Sequence, residues 1–287
     1  MIQYFVGGLG NQLFQYAMLH YVIENSNTQK GSAWIDKNPR EDRPFLLKDV
    51  MSNCKHISYV GLPYAGLSGN LARLTQKISS IPFFGSFKLE EFREEKEFSF
   101  ITDFEGIREK RILWIGYFQN FQYVEEVWDK IRPELFEKLH RTDLNINLPE
   151  SYTLVHIRGG DFHQHLDHFG MLTEQYYSSS LETVEPLSQR FRIVVTDDVE
   201  RAEKLKSIGA DLILGPDDLD EWQTLKLMSG AEVVLTANST FSWWGGRLAL
   251  ECGGRVLIPS PWFKNPKISV GSAFEHPNFE PSPSSFE

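Results

Sequence analysis

The stretch Val155-His156-Ile157-Arg158-Gly159-Gly160-Asp161 decides the fold class. Tyr152–Ile157 reads as a strand, and it runs into two glycines flanked by one imidazole, one guanidinium and one carboxylate. An open α/β sheet places its ligand chemistry at such strand ends, in the crevice beyond the carboxyl termini. Arg158 offers a planar fork of donors suited to phosphate, and Gly159 and Gly160 let a ligand approach the backbone closely. Two readings stand on these residues alone: a cradle for the diphosphate of a nucleotide-sugar donor, or an Arg–Asp pair that only stabilises a turn.

Downstream, the alternation of strand and helix continues. Phe191–Thr196 is a strand that ends in Asp197-Asp198, followed by a helix over 200–208 and a short strand over 211–214. Asp197 or Asp198 could accept from a base or ribose, and one of them suits the N-cap of the following helix. The acidic run Asp217-Asp218-Leu219-Asp220-Glu221 superficially resembles the DxD of metal-dependent glycosyltransferases. It stands just before a helix over 222–228, where carboxylates suit the positive end of the dipole. A strand over 232–236 leads into Asn238-Ser239-Thr240-Phe241-Ser242-Trp243-Trp244-Gly245-Gly246 and a helix to about Cys252. Hydroxyls and amides gathered at a helix start form an anion cradle; the plainer reading is an N-cap with an aromatic pair packed behind it. A last strand over 256–258 precedes a Pro- and Ser-rich tail, expected to be extended. Between the organising strand and Phe191, a helix over 173–185 is expected, capped by Thr173, and the loop before it holds His163, His165, Asp167 and His168. That loop admits a metal reading, beside the plainer one of solvated or substrate-facing histidines.

Upstream, a strand over 3–6 is followed by Gly7-Gly8-Leu9-Gly10-Asn11-Gln12 and by apolar residues at helical spacing from Leu13. A dinucleotide site is the rival for this glycine loop. However, Leu13 occupies the place of the third fingerprint glycine, and only Asp36 approaches the expected acidic ribose ligand. Further strands are expected over 32–36 and 111–117, with helices over 71–78 and 124–139, and Phe45, Leu46 and Leu47 packing between them. Residues 61–88, rich in glycine and carrying Phe83-Phe84, read as a cover over an acceptor site or as a plain surface excursion. A linker over 144–150 sets the domain boundary, giving domains 1–148 and 149–287.

Composition narrows the partners. The 287 residues are 41% hydrophobic and 24% charged, which suits a soluble chain of one large or two ordinary domains. A formal charge of −10 and a pI near 5.4 argue against a nucleic-acid partner. The cysteines, Cys54 and Cys252, have neither pairing nor metal-ligand spacing, in keeping with a reducing compartment. The start lacks a basic n-region and no apolar run reaches bilayer-spanning length. The expected location is the cytoplasm, with the inner face of the membrane as a peripheral alternative.

Four stretches together carry a resemblance: GGLGNQLFQYA from Gly7, GYFQNFQYVEE from Gly116, HIRGGDF from His156 and LMSGAEVVLTANSTFSWWGG from Leu227. They resemble the bacterial α1,2-fucosyltransferases, glycosyltransferase family 11, and the likeness spans Val6 to about Pro261. The resemblance implies a GT-B-like α/β fold of two Rossmann-type domains facing across a cleft. It implies GDP-β-L-fucose as the donor substrate, with no cofactor and no metal. It also implies transfer, with inversion, to the 2-hydroxyl of a terminal galactose in an oligosaccharide acceptor, free or lipid-linked, in surface polysaccharide (O-antigen) synthesis.

Carried over by position, His156, Arg158 and Asp161 match the family's HxRRxD motif, with Arg158 on the β-phosphate. Thr196, Asp197 and Asp198 match a second motif near the nucleotide, and Asn238, Ser239, Thr240, Phe241 and Ser242 a third, around diphosphate and fucose. Gly8, Gly10 and Asn11 match an N-terminal loop that meets donor and acceptor in related enzymes. Arg158, Asn11 and Asp161 are the catalytic candidates; Asn11 can only orient, and Asp161, Asp197, His163, His165 and His168 are the candidate bases. Two positions depart from the family. Gly159 stands where a second arginine belongs, removing a charge-assisted contact worth about 1.5–3 kcal/mol, and Thr224 stands where an acidic, base-reading residue belongs. These leave room for another nucleotide-activated sugar. A carbohydrate-binding protein, with Trp243, Trp244 and the aromatics of 118–123 as stacking platforms, is the non-enzymatic alternative.

Overall fold

The structure is a computed structural model of the chain. It describes residues 1–26, 30–36, 44–52, 54, 57–62, 91–94, 98–104, 107, 112–164, 166–184, 191–268 and 270–287. The helix expected over 71–78 and the Phe83-Phe84 pair lie outside the described residues, as do His165 and the side chain of Asp161. Two compact units are present, Met1–Leu135 and Phe136–Glu287. The linker expected over 144–150 lies in a stretch, 142–151, that carries no helix or strand.

The first unit is built on a five-stranded parallel sheet of order β3-β2-β1-β5-β4, from β1 (Ile2–Phe5), β2 (Gly31–Asp36), β3 (Ile57–Leu62), β4 (Glu91–Glu94) and β5 (Ile112–Ile115). β1 and most of β5 are buried, as expected for central parallel strands covered on both faces. Helix α1 (Leu9–Asn25) begins four residues before the expected Leu13. The Gln12 amide already donates to the Gly8 carbonyl at 3.1 Å, so Gly10, Asn11 and Gln12 belong to the first helical turn. The connector between β1 and α1 is therefore only Val6 to Gly8. A one-turn helix α2 (Lys48–Met51) follows, with Leu47 and Val50 buried and Phe45 edge-on to Phe5 at 5.5 Å. The long helix α3 (Phe121–Arg141) starts earlier than expected because Asn120 Oδ1 accepts from the Gln122 amide at 2.9 Å and so caps it.

The second unit holds a six-stranded parallel sheet of order β11-β10-β9-β6-β7-β8. Its strands are β6 (Tyr152–Ile157), β7 (Phe191–Thr196), β8 (Leu212–Leu214), β9 (Val233–Leu235), β10 (Arg255–Ser260) and β11 (Glu280–Pro283). Counted from β6, this is the doubly wound dinucleotide-fold order, with β6 and β9 adjacent where the order reverses. The helices are α4 (Glu174–Thr183), α5 (Val199–Lys204), α6 (Glu221–Ser229) and α7 (Thr240–Glu251). Thr173 sits at the N-cap of α4 but makes no capping bond; its hydroxyl pairs with Ser285 of the C-terminal tail. The helix expected over 200–208 breaks into α5 and a 3-10 turn, Lys206–Ile208. The tail contributes β11, an edge strand, where its two prolines need give no ladder hydrogen bonds inside the sheet.

The aromatic pair settles its own question. Trp243 and Trp244 are fully buried, and the Trp243 indole N–H donates to the Phe274 carbonyl at 3.0 Å. Phe118 and Tyr123 are buried as well. These rings form core rather than stacking platforms. Gly245 completes the packing: a Cβ there would come within 2.2 Å of Met228 Sδ, so α6 and α7 touch through it.

Candidate functional site

In the second unit, the strand order reverses between β6 and β9, which pair in parallel from Thr153↔Val233 to Val155↔Leu235. Beyond their carboxyl ends lie His156–Asp161 on one side and Thr236–Ser242 on the other, with Thr196–Asp198 following neighbouring β7. The sequence-predicted donor residues of this unit are thus brought to one edge of one sheet. The His156 and Phe241 rings lie 5.8 Å apart.

Arg158 is four-fifths shielded and forms an ion pair with Asp197, and its guanidinium lies 5.3 Å from the Phe162 ring centroid. Asp197 also accepts from the Gly159 amide at 2.8 Å. The carboxylate thus holds both the guanidinium fork and a backbone amide, as one phosphate oxyanion would. Asp198 caps α5, accepting from the Arg201 amide at 3.0 Å, and its other oxygen meets His163 Nε2 at 2.7 Å. Burial opposes ionisation of Asp198, but the His163 ring and the Arg201 amide outweigh it and hold the carboxyl below its usual range.

The departure at position 159 has a steric reason. A Cβ on Gly159 would lie 2.5 Å from both Cβ and Oδ2 of Asp198. Gly160 has φ +42, and a Cβ there would be 2.3 Å from Asp197 Oδ2. The two aspartates occupy the space that a second arginine would need. At the other departure, the Thr224 hydroxyl donates to the Asp220 carbonyl of its own helix at 2.8 Å.

The buried polar atoms at this edge without a hydrogen-bond partner among the described residues include His156 Nδ1 and Asn238 Oδ1. His156 is 5% exposed and Asn238 2%. Burial, reinforced by the charge of Arg158, pushes the His156 pKa down to about 3, so the ring is neutral at physiological pH. The amide nitrogen of Asn238 donates to the carbonyls of Phe169 and Gly170 at 3.1 and 3.0 Å, which fixes its oxygen. Ser239 is the N-cap of α7 with extended backbone, and the Ser242 hydroxyl is taken up by the Ala237 amide at 2.9 Å. Position and chemistry suit an anion with a polar ligand behind it.

The acidic run 217–221 serves helix entry. Asp220 caps α6 in a reciprocal capping box with Gln223, and Asp218 accepts from the Gly215 amide at 2.8 Å. Among the described residues, the loop histidines do not gather as a metal cluster; His163 is exposed and turned to Asp198. A cavity of about 470 Å³ opens at the other edge of this sheet, lined by Ser151, Glu232 and Gly254 at the strand starts. Its polar groups are engaged, Ser151 with Glu232 and Lys226 with the Thr142 carbonyl. The strand-end crevice is the better candidate because His156 Nδ1 and Asn238 Oδ1 there are buried without a partner among the described residues.

In the first unit, the order reverses between β1 and β5. Here Gln15 Oε1 accepts from the Val6 amide at 3.1 Å and its Nε2 donates to the Gly116 carbonyl at 2.9 Å. Gln12 donates to the carbonyls of Gly7 and Pro44 and accepts from the Leu46 amide. Asn11 Oδ1 accepts from Gln119 at 2.8 Å, while Gly8 caps α1 and Gly10 is buried in its first turn. Gln12, Gln15 and Gln119 take these roles without a motif to announce them; the available signal is a pair of glutamines three apart in the buried first half of α1.

Two Rossmann-type α/β units with parallel sheets define the GT-B class of glycosyltransferases. The chain belongs to glycosyl transferase family 11, which it matches over residues 4–276. Its curated relatives include an alpha-1,2-colitosyltransferase of Escherichia coli, 28% identical over 96% of this chain and 94% of that protein. Another is the O-antigen biosynthesis glycosyltransferase WbnK of Escherichia coli, 26% identical over 90% of this chain and 93% of that protein. Among solved structures, POFUT1 in complex with GDP superposes with a TM-score of 0.50 at 14% identity, over 88% of this chain and 96% of that one. No described helix is long and apolar enough to cross a membrane.

Proposed function

We propose that this glycosyltransferase moves L-fucose from GDP-β-L-fucose, with inversion, to the 2-hydroxyl of a terminal galactose, in O-antigen synthesis. The observation that carries the reading is the strand-end edge of the second unit, where Arg158 follows β6 and where His156 Nδ1 and Asn238 Oδ1 are buried without a partner among the described residues. In the proposed step the acceptor oxygen bonds to the anomeric carbon as the bond to the β-phosphate oxygen breaks and GDP leaves. Negative charge grows on that phosphate, so Arg158 and the amides of 240–242, at the start of α7, act chiefly in the transition state. An arriving phosphate competes with Asp197 for the Arg158 fork and the Gly159 amide, and so releases that carboxylate. His156, being neutral, contributes a hydrogen bond and no charge. Thr196, Asp197, Asn238, Ser239, Thr240, Phe241 and Ser242, with Gly8 and Gly10, are assigned to the donor. Asn11 is assigned to orienting the acceptor. The acceptor proton goes to Asp161, to a released Asp197, or to solvent, since a loose transition state needs little base help. No metal or cofactor is assigned to the step, and the acceptor is an oligosaccharide, free or lipid-linked, met in the cytoplasm or at the inner membrane face.

A second reading has its own support. A colitosyltransferase is among the curated relatives, and Gly159 leaves a family donor contact unmade. Colitose is L-fucose without its 3-hydroxyl, so the same scaffold could take nucleotide-activated colitose. A donor panel over galactose-terminated acceptors, read by mass spectrometry and linkage analysis, decides. Fucose in α1,2 linkage is the expected product; turnover with activated colitose alone replaces fucose by colitose, and no transfer from either overturns both.

A further inference from the structure

The first unit buries a cluster that the transfer reaction does not use. Tyr16 and His20 lie one turn apart on α1, Glu134 projects from α3, and Cys54 follows α2, its amide donating to the Met51 carbonyl at 3.1 Å. Cys54 Sγ is 3.0 Å from Glu134 Oε1 and 2.9 Å from the Tyr16 hydroxyl, which donates to the other carboxylate oxygen. The Tyr16 and His20 rings meet edge to face at 4.6 Å. His20 and Cys54 are 2% and 5% exposed. The ligand atoms of His20, Cys54 and Glu134 all lie within 4.8 Å of one another.

We propose that His20, Cys54 and Glu134 form a structural site for a zinc-like divalent cation. The donor set is one imidazole, one thiolate and one carboxylate, the mixture that selects zinc or its neighbours over magnesium and calcium. At ordinary bond lengths the edges of a tetrahedral site are about 3.3–3.6 Å, so the observed spacings close with shifts of about an ångström. Charge balance favours the ion. The thiolate and the carboxylate together carry two negative charges, and a divalent cation leaves the buried site neutral. Binding forms the metal–sulfur bond and releases the Cys54 thiol proton to solvent. Tyr16 keeps its hydrogen bond to the second carboxylate oxygen and orients it. The ion would tie α1, the segment after α2 and α3 together. The site is separate from the donor residues, and the proposal stands whichever sugar is transferred.

The test uses the full chain, stripped with a chelator and then loaded with Zn²⁺ or Co²⁺ and desalted. One equivalent of metal should be retained, and the melting temperature should rise by about 5 °C at a hundredfold excess over the dissociation constant. Cobalt loading should give a thiolate-to-cobalt charge-transfer band. The chain has two cysteines, so assignment needs no change at the site: the band must survive in C252S, and C54S must abolish it. If C54S does not fold, the band's persistence in C252S alone decides. No retained metal, no charge-transfer band, or a band lost in C252S overturns the proposal.

Discussion

The two units solve the same topological problem in opposite ways. Each reverses its strand order once, between β1 and β5 in the first and between β6 and β9 in the second, and each opens a polar edge there. In the first, Gln15 ties the backbone ends of β1 and β5 to one another, Gln12 ties the end of β1 to the segment 44–46, and Asn11 pairs with Gln119. In the second, His156 Nδ1 and Asn238 Oδ1 are buried without partners among the described residues. A buried unsatisfied polar atom costs about 1–3 kcal/mol. At the carboxyl ends of parallel strands, where ligands bind in such sheets, a ligand is the natural candidate to satisfy such atoms. The difference teaches that the first edge is a rigid shelf and the second a binding edge.

The sharpest way to break that comparison is Arg158→Ala. Losing a positioned donor to a developing phosphate charge should lower kcat/KM by about 10³-fold. The melting temperature should stay nearly constant, because the lost ion pair is partly solvated. Retained turnover in this variant, measured under single-turnover conditions, removes the mechanism.

His156 supplies the next effect, through pH. Its folded pKa near 3 lies below the ordinary value of 6.5, so the unfolded chain binds the proton more readily. The resulting stability is fully present above pH 6.5 and is lost as pH falls from 6.5 towards 3, by up to about 1.4 kcal/mol per pH unit. Urea unfolding across that window should show a shallower acid loss in His156→Gln than in the parent chain. Equal slopes would mean that the imidazole is solvated, and the binding edge would lose one of its unsatisfied atoms.

Some of this was legible in the sequence, and the division has a physical basis. β6 and β7 were read to the residue, because central parallel strands are covered on both faces and appear as unbroken strand-forming runs. β3, β4 and β11 were missed. Edge strands tolerate polar residues and proline, as in Glu280–Pro283, so their composition imitates a loop. The start of α1 was misplaced because Gly10 reads as a turn residue, although here it is buried in the first helical turn. Residue types at the binding edge were readable, from His156 to Ser242. Which polar atoms found partners was not: Asn238 and Gln15 are both buried amides, and only tertiary structure shows that Gln15 is satisfied at both ends and Asn238 at one.

The shelf can be tested by Gln15→Ala. The variant strips partners from the Val6 amide and the Gly116 carbonyl at the ends of β1 and β5. Two backbone groups left wanting at a buried site should cost about 2–3 kcal/mol, read as a lower urea midpoint at unchanged m-value. A change below about 0.5 kcal/mol, the level of ordinary surface substitutions, would deny the first edge its role as a shelf.

The smallest effect separates bonding state from membership of the second unit. Asp220 belongs to that unit and to the acidic run that resembles a metal-binding DxD, yet its carboxylate is committed to the Gln223 amide in the capping box of α6. If satisfied groups hold the fold and unsatisfied ones bind, Asp220→Ala should cost about 1 kcal/mol of stability. Its turnover per folded molecule should equal that of the parent chain. The paired measurement is a urea midpoint and a single-turnover rate on the same preparation, with and without added Mn²⁺. A collapse in rate at near-normal stability would return the acidic run to catalysis. It would also show that a satisfied hydrogen bond in the ligand-free chain is a poor guide to what a side chain does once the donor arrives.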